Sequence, residues 1–336
     1  MQVNNLKQKK VKKVLLFIGF MLVSGTIARS QQLPIYSQYL YNKFLINPAV
    51  AGSTGYTSVN LTARQQWSGY YGAPQTFSLS YQTRMLKAKY FLRDNIFSKT
   101  RYHSKTKGRV GFGFNMFNDI NGLIHKTGAL AAYSYNLWLD GETQLSLGLG
   151  AMAYYYKIDQ RQIRFDDPDE PYLNSDFRKG TIIPDFNFGA YVMGRKYSVG
   201  FSAQDLMQGF TKIGSDAYND LRIKRTYYLF GNYDLELGRT STIEPSLLFK
   251  MSEQMRPQFD IGLTYVYKRQ IWAGVTYRTQ AAIVANIGFA KGNYFLGYSY
   301  DYTTQVIEKA TNGSHELVLA LRFGDSDRKY RWLDRY

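Results

Sequence analysis

The sequence has no cysteine, so neither disulfides nor thiolate metal sites can form. It also lacks long apolar runs: the stretch from Val14 to Val23 is too short for a comfortable transmembrane helix, and no later segment resembles one. The mean hydropathy is negative, at -0.35. These absences exclude a disulfide-stapled scaffold and a bundle of membrane helices. A transmembrane β-barrel passes the same tests, because only alternate residues of its strands face lipid.

Acidic residues are in the minority. The chain has 42 lysines and arginines against 25 aspartates and glutamates, which gives a formal charge of +17. Six of the basic residues precede residue 31, where there is no acid, so removal of that segment would leave roughly +11. A basic soluble protein would suggest a nucleic-acid partner. For an exported chain an acidic lipid surface or an envelope polymer is the better match, and we expect no nucleic-acid partner.

The N-terminus has the three parts of a signal peptide. Residues 7–13 (KQKKVKK) are basic, Val14 to Val23 is apolar, and Ala28 and Ser30 are small residues at the positions read before cleavage. We therefore assign residues 1–30 to a signal peptide, with an uncleaved N-terminal anchor as the alternative. No cysteine follows the apolar run, which excludes lipoprotein processing.

Most of the chain after Gly55 alternates between apolar and polar or small residues. In residues 293–302 (NYFLGYSYDY) tyrosine and leucine hold the even positions, and in residues 316–323 (ELVLALRF) leucine and phenylalanine hold the odd ones. A period of two with one apolar face predicts β-strands. The 30 tyrosines suit wide membrane–water interfaces. We predict strands near 56–66, 75–85, 109–118, 127–138, 143–156, 184–194, 196–205, 224–237, 241–251, 257–268, 270–279, 282–290, 292–303 and 314–324.

These strands predict an all-β fold, a transmembrane antiparallel β-barrel of about 14 strands. The barrel covers residues 56–324 and a charged C-terminal tail follows at 325–336. Alternate connections are short, such as Gly194-Arg195, whereas most of the others are longer, such as 119–126 and 157–183. Bacterial barrels place short turns in the periplasm and long loops outside. We therefore expect a barrel in the outer membrane of a Gram-negative bacterium, with its N-terminus in the periplasm.

Short motifs occur in a defined order at both ends of the predicted barrel. They are YSQYLYN at 36–42, Asn47-Pro48-Ala49, Ala51-Gly52-Ser53, RQQW at 64–67, Tyr300-Asp301-Tyr302 and GSHE at 313–316. In this order and spacing the chain resembles the PorP/SprF membrane proteins of the type IX secretion system of Bacteroidota. The resemblance implies an outer-membrane barrel that works in secretion or in surface anchoring of a large secreted adhesin, including in gliding motility. It also implies secretion or motor-linked proteins as periplasmic partners.

A basic insert at residues 86–108 breaks the pattern of connections, because it is long but falls on the periplasmic side. It contains seven basic residues and one acid, Asp94. We interpret it as a docking surface for an acidic partner or an envelope polymer, with a solvated or membrane-hugging charged loop as the alternative. The candidate partner-binding residues are Lys99, Arg101, Lys105 and Lys107.

Residues 31–55 are predicted to form an N-terminal periplasmic segment. Within it, Leu33 to Val50 is rich in tyrosine, asparagine and apolar residues but too irregular for a strand. Two placements are open at this point. The segment either plugs or lines the periplasmic mouth of the barrel, or it packs on the rim.

The sequence offers little for catalysis or cofactor binding. An acidic cluster in a long predicted loop is either a calcium site or a solvated loop; it consists of Asp166, Asp167, Asp169 and Glu170. The three histidines are scattered without metal-ligand spacing: His103, His125 and His315. No nucleophile motif such as G-x-S-x-G occurs. We predict no catalytic, cofactor or metal residues and a structural or binding role. A general diffusion porin or small-molecule channel is the alternative.

Overall fold

The structure, a computed structural model, describes residues 36–85, 110–139, 142–159, 180–207, 224–253, 255–305, 309 and 311–323. The predicted signal peptide and C-terminal tail lie outside these ranges, as do the basic insert and the acidic cluster. Within the described residues, no helix has the length and hydropathy needed to cross a membrane.

Fifteen strands account for most of the described residues. The alternating sequence favours them, because aromatic and β-branched residues pack well on a pleated surface when every second one faces the same side. The strands are β1 (Thr57–Gln65), β2 (Gln75–Met85), β3 (Val110–Asn121), β4 (Ile124–Trp138), β5 (Gln144–Ile158), β6 (Thr181–Met193), β7 (Tyr197–Gln204), β8 (Thr226–Tyr233), β9 (Leu235–Leu237), β10 (Ser241–Ser252), β11 (Met255–Tyr267), β12 (Ile271–Arg278), β13 (Ala282–Lys291), β14 (Tyr294–Thr303) and β15 (Ser314–Phe323). Two single-turn 3-10 helices precede them, at Lys43–Leu45 and Pro48–Val50.

The sheet closes on itself, because antiparallel pairing runs from strand to strand and the last strand pairs with the first. In the closing seam Thr57 lies opposite Phe323, and Gln65 lies opposite His315. β8 and β9 both pair with β10 and are separated only by Asp234, so they form one strand of the barrel. The result is a closed 14-stranded antiparallel barrel, which confirms the predicted fold. Closure pairs the strand edges, as a hydrocarbon surrounding requires.

The two ends of the barrel differ in their connections. The end that we call the turn end carries 139–143, 194–196, 238–240, 268–270 and 292–293, together with the start of β1 and the end of β15. The loop end carries the long connections 66–74, 159–180, 205–225 and 304–313. One predicted loop, 119–126, is shorter than expected, since the two strands continue to a turn at 122–123. Gly122 makes this possible with a φ of 57°, a left-handed conformation that glycine adopts without steric cost.

The two faces of the barrel wall differ as the alternation predicts. Large apolar side chains such as Leu61, Tyr298 and Leu319 point outward and are exposed, as expected of a surface that faces lipid. The intervening residues are mostly small or polar and are buried in the lumen. Asp301 and Glu316 are among these lumen residues.

Residues 36–55, which we call the plug, lie inside the barrel. Of the two placements left open by the sequence, the structure shows the segment inside the barrel and not packed on the rim. The second 3-10 turn of the plug contacts β4, β5 and β6, and the start of the plug bonds to residues of β14 and β15. The physical reason is burial: Phe44, Ile46 and Val50 are covered on the lumen wall, whereas on a solvent-exposed rim much of their apolar surface would stay in water.

Candidate functional site: the plugged lumen

The path of the plug is set by its own turn chemistry. The side chain of Asn47 accepts a hydrogen bond from the backbone N–H of Ala49 at 2.9 Å, which caps the second 3-10 turn. Pro48 occupies the first position of that turn, where its missing N–H costs nothing. Gly52 and Gly55 then adopt φ angles of 63° and 77°. These left-handed positions reverse the chain at the turn end of the barrel and lead it into the wall.

One side of the lumen, formed by β3 to β8, fits the plug by shape, and we call it the shape wall. Phe44, Ala49 and Ala51 are almost completely buried in this region. A Cβ placed on Gly148 would lie 2.4 Å from the backbone N of Ala49, and one placed on Gly113 would lie 2.3 Å from the Phe44 ring. Both distances are too short for real atoms. The wall accommodates the plug because it has no side chains at these positions.

The plug and the shape wall also satisfy each other's backbone carbonyl groups. The side-chain amide of Asn47 donates to the carbonyl oxygens of Ala190 and Phe201 at 3.0 and 3.1 Å. Two wall serines donate to plug carbonyls, Ser134 to Ala51 and Ser202 to Ile46. A buried carbonyl without a partner would cost about 1–3 kcal/mol. These neutral hydrogen bonds therefore hold the plug in register.

Lys43 is the only charged residue of the plug. Its ammonium donates to the hydroxyl of Ser198 at 3.0 Å and to the side-chain carbonyl of Asn232 at 2.9 Å. Asn232 in turn donates to Glu244 at 2.7 Å. The amide of Asn232 thus links the cation of the plug to a carboxylate of the wall.

The opposite side of the lumen, formed by β1 and by β10 to β15, holds the start of the plug by charge, and we call it the charge wall. The carboxylate of Glu316 accepts the backbone N–H groups of Ser37 and Gln38, both at 2.8 Å and one on each oxygen. Gln38 donates through its side chain to the backbone carbonyl of Glu316 at 3.2 Å. Charged acceptors make short and strong hydrogen bonds. This pairing fixes both the position and the direction of the chain.

Two arginines complete this contact, which we call the clasp. Arg64 pairs with Asp301 at 2.7 Å and with Glu316 at 3.2 Å. Arg278 pairs with Asp260 at 3.0 Å and with Asp301 at 3.1 Å. The hydroxyl of Ser37 lies at the centre. It donates to Asp301 at 2.7 Å and accepts from Arg64 at 2.9 Å and from Arg278 at 3.3 Å.

The five charged side chains of the clasp are buried, with exposed fractions of 1–3%. Burial makes such a cluster a poor source of net stability, since desolvation offsets much of the Coulomb attraction. Removal of one member is costly, by about 3–5 kcal/mol, because it leaves a buried charge uncompensated. The clasp therefore serves mainly to specify one position of the plug.

A cavity of about 160 Å³, which we call the vestibule, remains between the plug and the charge wall at the turn end. Aromatic rings form one side of it. Trp272 and Phe295 stack with ring centroids 4.5 Å apart, and Tyr41 of the plug packs against Trp272 at 4.8 Å. Arg269 and Arg322 also line the cavity. The guanidinium of Arg322 lies 5.3 Å from the centre of the Phe295 ring.

The predicted site residues fall in different places. Lys99, Arg101, Lys105 and Lys107 lie outside the described residues, so their role stays a prediction; the strands on either side of them meet at the turn end. The acidic cluster and His103 also lie outside the described residues. His315 is in β15, with its Nδ1 atom 2.7 Å from the hydroxyl of Tyr298. In the described part of the chain, no group of three or more histidine, cysteine or acidic residues is placed to hold a metal ion.

Asp301 and Glu316 face the lumen, as the alternation of the sequence predicts, and both belong to the clasp. Arg322 also belongs to the inward face by alternation, but it lies near the turn end, in the vestibule, rather than in the clasp. The alternation of the sequence places Arg322 in the lumen but does not show how far along the barrel axis it lies. Sequence analysis also missed Arg278 as a member of the clasp. The motifs that carry the family resemblance lie largely in the plug and the clasp.

The sequence contains an indication that a segment occupies the lumen. Phe295 and Trp272 are large apolar residues that face the lumen, where barrels usually place small and polar side chains. Such residues indicate that something lies inside the barrel for them to pack against. Here that partner is Tyr41 of the plug.

Comparison with known families gives a match over nearly the whole chain. The family described as type IX secretion system membrane protein PorP/SprF matches residues 28–321. The matched range includes the plug, the clasp and the residues of the vestibule except Arg322. No curated protein matches the chain.

Solved outer-membrane barrels are similar to the chain at low sequence identity. Omp33 of Acinetobacter baumannii is 10% identical over 80% of this chain and 100% of that chain, with a TM-score of 0.41. The CymD monoaromatic hydrocarbon channel is 11% identical over 88% and 94%, with a TM-score of 0.44. A FadL homologue of Pseudomonas aeruginosa is 11% identical over 80% and 88%, with a TM-score of 0.39. At these values the likenesses support no statement about what this chain binds or transports.

Proposed function

We propose, from the premise that this chain belongs to the PorP/SprF family of type IX secretion system membrane proteins, that it is a plugged barrel which acts by binding protein partners. The family match confirms the resemblance carried by the sequence motifs. The protein is an outer-membrane β-barrel of the type IX secretion system. The finer role that we propose is secretion or surface anchoring of a large partner adhesin, as in gliding motility, without catalysis.

The observation that carries this proposal is the plug. Its contacts reach the wall on several sides: Asn42 with Ser80 of β2, Lys43 with Ser198 of β7, and Ser37 with Asp301 of β14. A diffusion pore needs an open hydrated path, whereas a segment of the chain itself occupies this lumen. The rims and the loops are then the surfaces left for function. This arrangement supports binding and argues against the porin alternative.

We propose that the turn end faces the periplasm and the loop end faces outward. The support is the difference in connection lengths, which follows the usual asymmetry of bacterial barrels. Connections 159–180 and 205–225 would then meet a secreted partner, and the basic insert would meet periplasmic proteins. Tags at Ser175 and Ser104 test this orientation on intact cells. Only the tag at Ser175 should be labelled from outside, and labelling of both would contradict the proposal.

The charge of the turn end supports a periplasmic partner with acidic groups. Arg195 and Lys196 lie within 4.0 Å of Glu142 and Glu236, respectively. Four further exposed basic residues form no ion pair with any described residue: Arg239, Lys268, Arg269 and Lys291. Together with Lys99, Arg101, Lys105 and Lys107 of the insert, they would present a positive surface that attracts an acidic protein.

Deletion of the gene tests the proposed function. The deletion strain should lose one or a few large proteins from the surface or secreted proteome, while other outer-membrane barrels assemble normally. Expression of the wild-type chain should restore them. Unchanged surface and secreted proteomes, combined with reduced uptake of small solutes, would replace this proposal with the porin alternative.

A further inference from the structure

The vestibule is the part of the lumen that the plug leaves open, and nothing in the plug or the clasp requires it. Leu40, Tyr41 and Lys43 of the plug line the cavity, which lies near the turn end and also includes Arg269 of the turn between β11 and β12. A ligand would enter from the turn end and meet the plug, without a described passage beyond it. The vestibule therefore has the form of a socket rather than of a channel.

The size of the socket limits what it can hold. Its volume of about 160 Å³ is close to that of a cavity of about 150 Å³ that accommodates one benzene molecule. A single large side chain fits this space, whereas a folded element or a polymer does not. The aromatic side of the cavity, with Trp272, Phe295 and Tyr41, suits an apolar or aromatic group.

The charged residues around the socket indicate which charge its ligand carries. Arg269 is exposed at the mouth and forms no ion pair with any described residue, and Arg322 lines the same cavity. Two acids, Asp234 and Glu244, also line it. Glu244 accepts a hydrogen bond from Asn232 in the lysine network of the plug, and Asp234 is buried, whereas Arg269 is exposed. The cations at the entrance, with the basic turn end around them, therefore favour a ligand that brings a negative charge.

We propose that the vestibule is a socket for a segment of a partner protein that presents one large apolar or aromatic side chain next to a carboxylate. The ring enters the cavity and packs against the Trp272–Phe295 pair, and the carboxylate stays at the mouth with Arg269 and Arg322. The inference rests on the proposed function, because it describes how a periplasmic partner engages the turn end. An aromatic anchor buried in a pocket is a common form of interface hot spot, and the rim of an interface is usually polar.

The binding test uses N-acetyl-phenylalanine as the probe, since it combines one ring and one carboxylate, and its uncharged amide as the matched control. Saturation-transfer NMR on the detergent-solubilised full chain should detect the acid, and the amide should bind about tenfold more weakly, the loss expected for a charged hydrogen bond. Arg269→Gln should weaken binding of the acid and reduce its advantage over the amide. Arg239→Gln, which removes an exposed arginine of the same end that does not line the cavity, should leave binding unchanged.

A second pair of variants separates the cavity from the surface. Ala290 lines the vestibule, so Ala290→Trp should fill it and abolish binding of the probe. Ala285 lies on the same strand but faces outward, so Ala285→Trp should bind normally. Equal binding of acid and amide would overturn the proposal, as would binding of both in Ala290→Trp. Binding of N-acetylglucosamine in place of the acid would indicate a saccharide site and would also overturn it.

The chain's own C-terminal residues are an alternative occupant. If a variant without residues 324–336 binds the probe while the full chain does not, the socket belongs to that segment, and the partner proposal is wrong. In cells, Ala290→Trp should reduce the surface proteins that depend on this barrel, and Ala285→Trp should not, at equal barrel amounts. Normal surface proteins with Ala290→Trp, together with their loss on gene deletion, would reject the socket while leaving the proposed function intact.

Discussion

The two walls of the lumen hold the same segment by different means. The shape wall has glycine and serine where the plug comes closest, and its contacts are apolar surfaces and hydrogen bonds that are neutral except for those of Lys43. The charge wall contacts the plug through the clasp and through the rings of Trp272 and Phe295, and it leaves the vestibule beside them. A wall that binds by shape tolerates no added side chain, whereas a wall that binds by charge needs only a few fixed groups. Open space for a partner therefore remains on the charge wall.

The two walls also contribute differently, one to the stability of the plug and the other to its position. Burial of Phe44, Ile46 and Val50 supplies apolar stabilisation, of the order of 1.5–3 kcal/mol for each fully buried side chain. The clasp adds little net stability by comparison, but it fixes where the plug begins. Displacement of the plug should therefore be easiest to cause on the shape wall. Breaking the clasp on the charge wall should instead lower the stability of the barrel, because it leaves a buried charge uncompensated.

The largest effect is expected from Gly148→Leu. Its Cβ would overlap backbone atoms of Ala49 and Pro48 at 2.4–2.6 Å, so the plug cannot keep its position. Because the chain has no cysteine, an Ala49→Cys substitution gives one reporter for maleimide labelling. The reporter should stay unlabelled in the otherwise wild-type barrel and should be labelled in the Gly148→Leu background.

The adjacent residue provides the control for this prediction. Leu149 faces outward and is exposed, so Leu149→Phe adds bulk to the lipid side and should leave the reporter unlabelled. Equal labelling in both backgrounds would mean that the substitutions act on the barrel wall and not on the plug. Protection in the Gly148→Leu background would contradict the close packing that defines the shape wall.

An intermediate effect is expected from Glu316→Gln in the clasp. The amide removes the ion pair with Arg64 and turns an N–H donor toward the backbone N–H groups that the carboxylate accepts. The free energy of unfolding should fall by about 3–5 kcal/mol, as for other broken buried ion pairs. Urea titration of the barrel in detergent measures this free energy of unfolding. The control is Glu236→Gln, which disrupts a surface pair with Lys196 at 3.8 Å. It should lower the free energy of unfolding by less than about 1 kcal/mol. Similar losses for Glu316→Gln and Glu236→Gln would mean that the clasp is not desolvated.

The outer face of the charge wall does not touch the plug, so substitutions there can be compared with those in the clasp. Leu319 lies near the middle of β15 and faces outward. Leu319→Arg should lower the free energy of unfolding by about 2–4 kcal/mol, and Tyr294→Arg, at the turn end of β14, by about 0–1 kcal/mol. Both should leave the Ala49→Cys reporter protected. Equal costs at the two depths would contradict the assigned lipid-facing band.

The smallest effect on the fold is expected at the basic insert. Replacement of Lys99, Arg101, Lys105 and Lys107 by glutamate should leave the unfolding free energy unchanged within about 0.5 kcal/mol, as for surface substitutions in general. The same variant should weaken recovery of periplasmic partners after cross-linking, because the attraction of an acidic partner is lost. Recovery equal to that of the wild type would remove the insert from the proposed docking surface.

The barrel was predictable from sequence because one local rule determines it. Alternation from Thr57 to Phe323 gives the strands, their number and the face that each side chain occupies. The plug follows no such rule. Its turns depend on Asn47, Gly52 and Gly55, which fix local geometry but do not say which surface will cover Phe44.

The clasp could not be predicted from the sequence, for a different reason. Arg64 and Glu316 are 252 residues apart, and they meet only because the closing seam sets β1 against β15 in one register. The sequence shows that each faces the lumen. The depth of each side chain, and therefore its partner, depends on the stagger of the strands around the barrel. For the same reason the sequence does not show that Arg322 lies apart from the clasp.

Planar-bilayer conductance of the purified full chain tests most directly the claim that the plug closes the lumen. The wild-type barrel should show no steady conductance, because residues 36–55 occupy the path. The Gly148→Leu barrel should conduct in discrete steps, and Leu149→Phe should remain as silent as the wild type. Steady conductance of the wild-type barrel, at the level of the Gly148→Leu variant, would contradict the account and favour a diffusion pore.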